Sequence, residues 1–187
     1  MKKIKKGEYS YLSWRKRKEI GQTILLFGIS AAIFILGHIT TNTKSNLLTV
    51  VAVLGCLPAS KSAVSMIMYL RIKGCSQDIQ EIISSHFGKD FGSYNLYFTS
   101  EHKNYEIHHL VVKNLSVIAY SSNQKTEAAA FEEHIKTVLK RDGITNYNVK
   151  LYQDLDKYLN RVDQLLLLKQ ENGGEDSVLS TLFAVSL

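Results

Sequence analysis

Two long apolar runs near the start constrain this chain more than anything else in it. Residues 20–39 contain no Asp, Glu, Lys or Arg, and residues 47–70 are interrupted only by Pro58 and Lys61. At about 1.5 Å of rise per helical residue, each can cross a hydrocarbon core about 30 Å thick. The link over residues 40–45 is short, which suits an antiparallel helical hairpin. The first run exceeds a signal-peptide core of about 7–15 residues, and Gly37-His38-Ile39-Thr40 is a poor cleavage site, so it reads as uncleaved.

Charge divides the chain. Residues 1–18 hold Lys2, Lys3, Lys5, Lys6, Arg15, Lys16, Arg17 and Lys18 against the single acid Glu8, a formal net of +7. The link offers only Lys44, while Arg71 and Lys73 follow the second run. Basic residues beside membrane helices are retained on the cytoplasmic side by anionic headgroups. Both termini are therefore expected in the cytoplasm, with the link outside. Tyr9, Tyr11, Trp14 and Tyr69 fit headgroup-level anchors. From Asp78 to Leu187 the balance reverses, with 11 Lys and Arg against 15 Asp and Glu, a net of −4. The basic excess belongs to the membrane-facing head, and no basic stripe suggests a nucleic-acid partner. Cys56 lies inside the second run and Cys75 follows 19 residues later, so no disulfide framework is expected.

Lys61 is the one formal charge inside either span. It lies 14 residues from Leu47, about 21 Å deep if helical, which leaves about 9 Å to the cytoplasmic face. Its side chain can snorkel across that gap. Pro58 removes a backbone donor one turn earlier, which leaves two geometries: a single kinked helix over residues 47–72, the one favoured, or a span that ends near Lys61 with residues 62–72 at the interface. Gly21, Gly28, Ala32 and Gly37 offer close packing on the first helix, and Ala52, Gly55 and Ala59 on the second.

Behind the hairpin the pattern changes to that of a water-soluble α+β domain over residues 76–170. Ser76 and Asp78 open a helix carrying Ile79, Ile82, Ile83 and Phe87, and Gly88 closes it. Strands are expected over 94–99, 105–113 and 115–121. Strict alternation would put Ile107, His109 and Val111 on one face, and His108, Leu110 and Val112 on the other. Both faces are largely apolar, so helices should cover both. Residues 126–142 form the clearest helix, with Ala128, Phe131, Ile135, Val138 and Leu139 inward, Gly143 as the stop, and Glu132 paired to Lys136 on the wet face. A strand over 148–152 precedes a helix capped by Asp154, with Leu155, Tyr158, Leu159, Val162, Leu165 and Leu166 inward and Asn172-Gly173-Gly174 as its end. Leu167 and Leu168 fall outside that stripe, which suggests a second contact: a protein partner, a second copy or the tail. The tail, residues 171–187, is apolar and short, and its pattern specifies no element. The order is a transmembrane hairpin followed by α-β-β-β-α-β-α, with residues 76–170 expected to fold alone.

That order resembles the core of the restriction-endonuclease-like fold over residues 76–153. The resemblance implies an acid near the second strand and Glu-x-Lys on the third, to hold a divalent metal for phosphodiester hydrolysis. The third strand here reads Leu115-Ser116-Val117-Ile118-Ala119-Tyr120 and has neither. The segments 57–71 (LPASKSAVSMIMYLR), 132–143 (EEHIKTVLKRDG) and 154–165 (DLDKYLNRVDQL) resemble a group of small bacterial membrane proteins. This resemblance implies two membrane helices and a cytoplasmic domain in a bacterial cytoplasmic membrane, and brings no catalytic residues.

Chemistry is hard to find. His102, His108, His109 and His134, with Glu101, Glu106, Glu132 or Glu133, match no metal-ligand spacing. No serine elbow or phosphate-cradling glycine loop is present, and Asp154, Asp156 and Asp163 read as a cap and a wet face. The expectation is no catalytic, cofactor or metal residue, in a membrane-anchored interaction or regulatory module. A membrane-tethered nuclease-like enzyme and a small channel or transport accessory are the alternatives.

Overall fold

The computed structural model describes residues 4–41, 47–100, 103–168 and 174–187. The chain divides into two compact units. One comprises Leu12–Lys73; the other combines Met1–Tyr11 with Gly74–Leu187.

The first unit is a pair of helices, α1 (Tyr11–Thr41) and α2 (Leu47–Arg71). Both are long and apolar enough to cross a membrane, and most of their apolar windows are exposed rather than packed inside the protein. α2 runs unbroken through Pro58. The helices meet through small and polar side chains. Thr23 Oγ1 lies 2.9 Å from Ser62 Oγ, and Gly55 leaves room for the Ser30 hydroxyl. The two contacts share one antiparallel register, seven residues apart, the near-heptad spacing of closely aligned helices. Ala52 and Ala59 are buried on the same face of α2. On α1 the contact falls on Thr23, Ser30 and Gly37, while Gly21, Gly28 and Ala32 are exposed. The physical reason is angular: Gly21 and Gly28 each sit two residues, about 200°, away from the contact positions. At the end carrying the chain's basic residues, Arg15 reaches Glu19 at 2.9 Å and lies over the Tyr69 ring, while Lys16 Nζ donates to the Ile72 carbonyl. Tyr69 is thus buried under a guanidinium instead of facing headgroups.

The second unit is a four-stranded sheet with helices on both faces. Strands β1 (Ser93–Thr99), β2 (Asn104–Lys113) and β3 (Ser116–Tyr120) form an antiparallel meander, and β4 (Asn148–Tyr152) lies parallel beside β3. One face packs against α4 (Ala128–Arg141) and α6 (Glu175–Val185), the other against α3 (Gln77–Phe87) and α5 (Leu155–Leu167). Ser76 caps α3 and Asp154 caps α5 by accepting from backbone N–H groups three residues on. The β2–β3 turn consists of Asn114 and Leu115, both with positive φ, the twist that a two-residue hairpin needs.

Three features differ from the sequence expectation. First, strand alternation reverses within β2: Tyr105 and Ile107 share one core with Leu110 and Val112, while His109 and Val111 face the other way. The reversal coincides with Asn95 on β1, whose φ of 57° breaks the pleat opposite His108. Second, Glu132 turns to the sheet, accepting from Leu151 N–H and pairing with Lys150 at 3.2 Å, rather than bonding Lys136. Third, α5 ends at Leu167, before the Asn172-Gly173-Gly174 stop, of which only Gly174 lies among the described residues.

The tail and the head are structural. Val178 and Leu182 of α6 are fully buried in the core with Phe98, Val112 and Phe131. Ser186 bridges Phe98, and Leu187 N–H donates to the Tyr97 carbonyl. At the other end of β1, Tyr94 N–H donates to Gly7 O, and Lys6 Nζ reaches the carbonyls of Phe183 and Ser186. The β1 edge is therefore closed by both ends of the chain, which removes a template for strand addition.

Candidate functional site

The residues with chemical potential lie mostly in the face of the sheet under α3 and α5. His109 is fully buried there. Its Nε2 lies 2.8 Å from the Phe91 carbonyl and its Nδ1 2.6 Å from the Tyr158 hydroxyl. A carbonyl can only accept, so Nε2 carries the proton and Nδ1 accepts from Tyr158. Gly92 makes this approach possible: with φ at 72°, a Cβ there would lie 2.6 Å from Nε2. Burial holds the imidazole down at about 4, against an opposing contribution from the Phe91 carbonyl, so it is neutral near pH 7.

Around His109 stand Tyr94, Tyr120 and Phe91, with Tyr158 edge-on to the ring of His109. Burial pushes Tyr94 up to about 12 and Tyr158 well above the phenol range. The Cys75 thiol is also buried and pushed up to about 12. No group in this cluster ionises readily at neutral pH, and the thiolate that nucleophilic chemistry requires is suppressed. The cluster is a neutral aromatic brace joining β1, β2 and α5.

The other histidines and acids are spread through the domain. His108 is buried, accepts from Ser122 N–H through Nδ1, and is shifted down by burial against the pull of Glu106. Glu106 accepts from Gly74 N–H at 2.7 Å. His134 lies against the Tyr105 ring and is lowered by partial burial and by Arg141. Asp163 meets His86 at 2.9 Å on the surface. Glu101 and His102 lie outside the described residues. Among the described residues, no three His, Cys, Asp or Glu side chains gather to hold a metal ion.

Two surface features among the described residues bear on binding. Leu167 is 87% exposed and Leu168 is also exposed, as their place outside the α5 stripe predicts. A groove of about 420 Å3 lies between residues 5–10 and the α3–β1 connection, lined by Lys5, Glu8, Ser10, Gln80, Lys89 and Asp90 among others. The sequence signalled only half of this groove. The basic head is conspicuous, but nothing in its pattern says that residues 5–10 fold onto the domain. Compared with known protein families, with curated proteins and with solved structures, the chain matches none, so neither resemblance noted above gains support from comparison.

Proposed function

We propose that this protein is a membrane-anchored module: a two-helix hairpin in the cytoplasmic membrane of a bacterium carries a non-catalytic cytoplasmic domain that binds another protein. The observation that carries the reading is the division of the chain. The helices expose apolar side chains along their length, and the segments flanking them, residues 4–11 and 74–187, share one fold. A domain built from both flanks keeps both outer helix ends on one side of a bilayer, which a hairpin satisfies and a single crossing does not. The +7 head argues that this side is the cytoplasm. The engagement of the buried histidines and tyrosines in internal contacts supports a binding role over a catalytic one, and the exposed leucines at the end of α5 supply an apolar contact for a partner.

The test has two parts. Alkaline carbonate extraction of membranes should leave the full chain in the pellet. Asn114-Leu115-Ser116 is a glycosylation acceptor, and after insertion into competent microsomes it should stay unmodified. A glycosidase-sensitive mass shift would reverse the orientation. Metal-dependent cleavage of DNA or RNA by the purified protein, lost on Glu106→Gln, would replace the binding role with an enzymatic one.

A further inference from the structure

We propose that the groove between the N-terminal segment and the α3–β1 connection binds the headgroup of an anionic phospholipid, specifically one whose phosphodiester carries a hydroxylated alcohol. The inference rests on the membrane reading above and adds a ligand to it. The groove's volume of about 420 Å3 falls in the ordinary range for small-ligand sites. Its walls offer two kinds of group. Lys5 and Lys89 are exposed and supply cationic donors for a phosphate. Lys6 is occupied at the Phe183 and Ser186 carbonyls, which fixes the segment without closing the groove. Glu8 and Asp90 supply acceptors, beside Ser10 and Gln80, which suit hydroxyl donors of the alcohol. The same carboxylates disfavour a polyanion, whose extra charges would face them.

Position favours a lipid as the source of that chemistry. Ser10 is the last residue before α1. Ile20, where the apolar run begins, follows ten positions later, about 15 Å along a helix axis. Trp14, exposed between them with Lys18 over its ring, marks the headgroup level. Ser10, in the groove wall, thus precedes the headgroup-level Trp14 by four residues of chain, which ties the groove closely to the membrane-entering segment.

The experiment uses the full chain in detergent, exchanged with defined lipids and read by native mass spectrometry. Phosphatidylglycerol should be retained in preference to phosphatidylcholine, and Lys5→Gln/Lys89→Gln should reduce that preference about tenfold or more. Arg17→Gln/Lys18→Gln, an equal charge change outside the groove, should leave it nearly unchanged. Equal losses in the two double variants would mean diffuse attraction and overturn the site. Retention of soluble glycerol 3-phosphate as strong as that of the lipid would overturn the lipid source. Alkaline extraction of the unmodified chain from its membrane would overturn the membrane reading itself, whereas a chain that stays embedded yet shows no headgroup preference would sink the groove alone.

Discussion

His109 and its neighbours show how this domain spends polar side chains on cohesion. An imidazole with both nitrogens engaged and no solvent contact resists protonation. Its folded value of about 4 lies below the ordinary 6.5, so the unfolded chain binds the proton more readily. Stability from this residue is therefore complete above about pH 6.5 and is lost as pH falls towards 4, by about 3 kcal/mol in all. Nitrogen chemical shifts should show His109 still neutral at pH 5.5; a protonated ring there would overturn the assignment. The hydroxyls around it should differ in worth. Tyr158→Phe leaves Nδ1 of a buried imidazole without its donor and should cost about 1–3 kcal/mol. The Tyr94 hydroxyl has no hydrogen-bond partner among the described residues, so Tyr94→Phe should change stability by less than about 1 kcal/mol. Denaturant unfolding of both variants checks the order. The sequence suggested that His108 and His109 part company, but it put His109 on the Ile107 face. A left-handed Asn95 on the neighbouring strand reverses the pleat, and no alternation pattern within β2 itself records that.

Elements with caps and one apolar face were legible; the contact face of the hairpin was not. Ser76, Asp154 and Gly143 mark helix ends by local hydrogen bonding and left-handed backbone, which depend on few residues. The β4 strand and the inward residues Phe131, Ile135 and Leu139 of α4 likewise follow from periodicity alone. In α1, by contrast, apolar and small side chains surround the whole helix, so periodicity does not tell the face towards α2 from the faces towards lipid. Only the partner selects Thr23 and Ser30 over Gly21 and Gly28. The consequence is a contrast between two glycines. Gly55→Leu forces a side chain against Ser30, whose Oγ would lie 2.7 Å from the new Cβ, and should part the helices. A Cβ added at Gly28 meets nothing within 4 Å, so Gly28→Leu should be tolerated. Cross-linking between cysteines placed at Thr23 and Ser62 reads this directly: efficient in Gly28→Leu and sharply reduced in Gly55→Leu. Equal yields would refute the assigned register.

At the scale of the whole molecule, the division into an apolar hairpin and an α+β unit was plain from hydropathy, but the closure of that unit was not. The head joins it mainly through backbone and lysine contacts, such as Tyr94 N–H to Gly7 O, which leave no signature in residue type. The tail joins through Val178 and Leu182, with Leu179 and Phe183 packed beside them, in a helix of 11 residues too short for its periodicity to stand out. A fragment of residues 76–170 therefore lacks more than the sequence suggested. It loses two fully buried side chains worth about 1.5–3 kcal/mol each, uncovers Phe98, and opens the β1 edge to other strands. It should aggregate or remain poorly folded. A chain in which residues 4–11 are joined to residues 74–187 by about twelve Gly and Ser residues should instead be soluble and unfold in one cooperative step, because such a linker spans about 20 Å at little entropic cost. Side-by-side expression and calorimetry decide the matter. Cooperative unfolding of residues 76–170 alone would show that head and tail are accessories. Failure of the linked chain would mean that the hairpin supplies part of the domain's core, and the two units would then have to be treated as one folding unit.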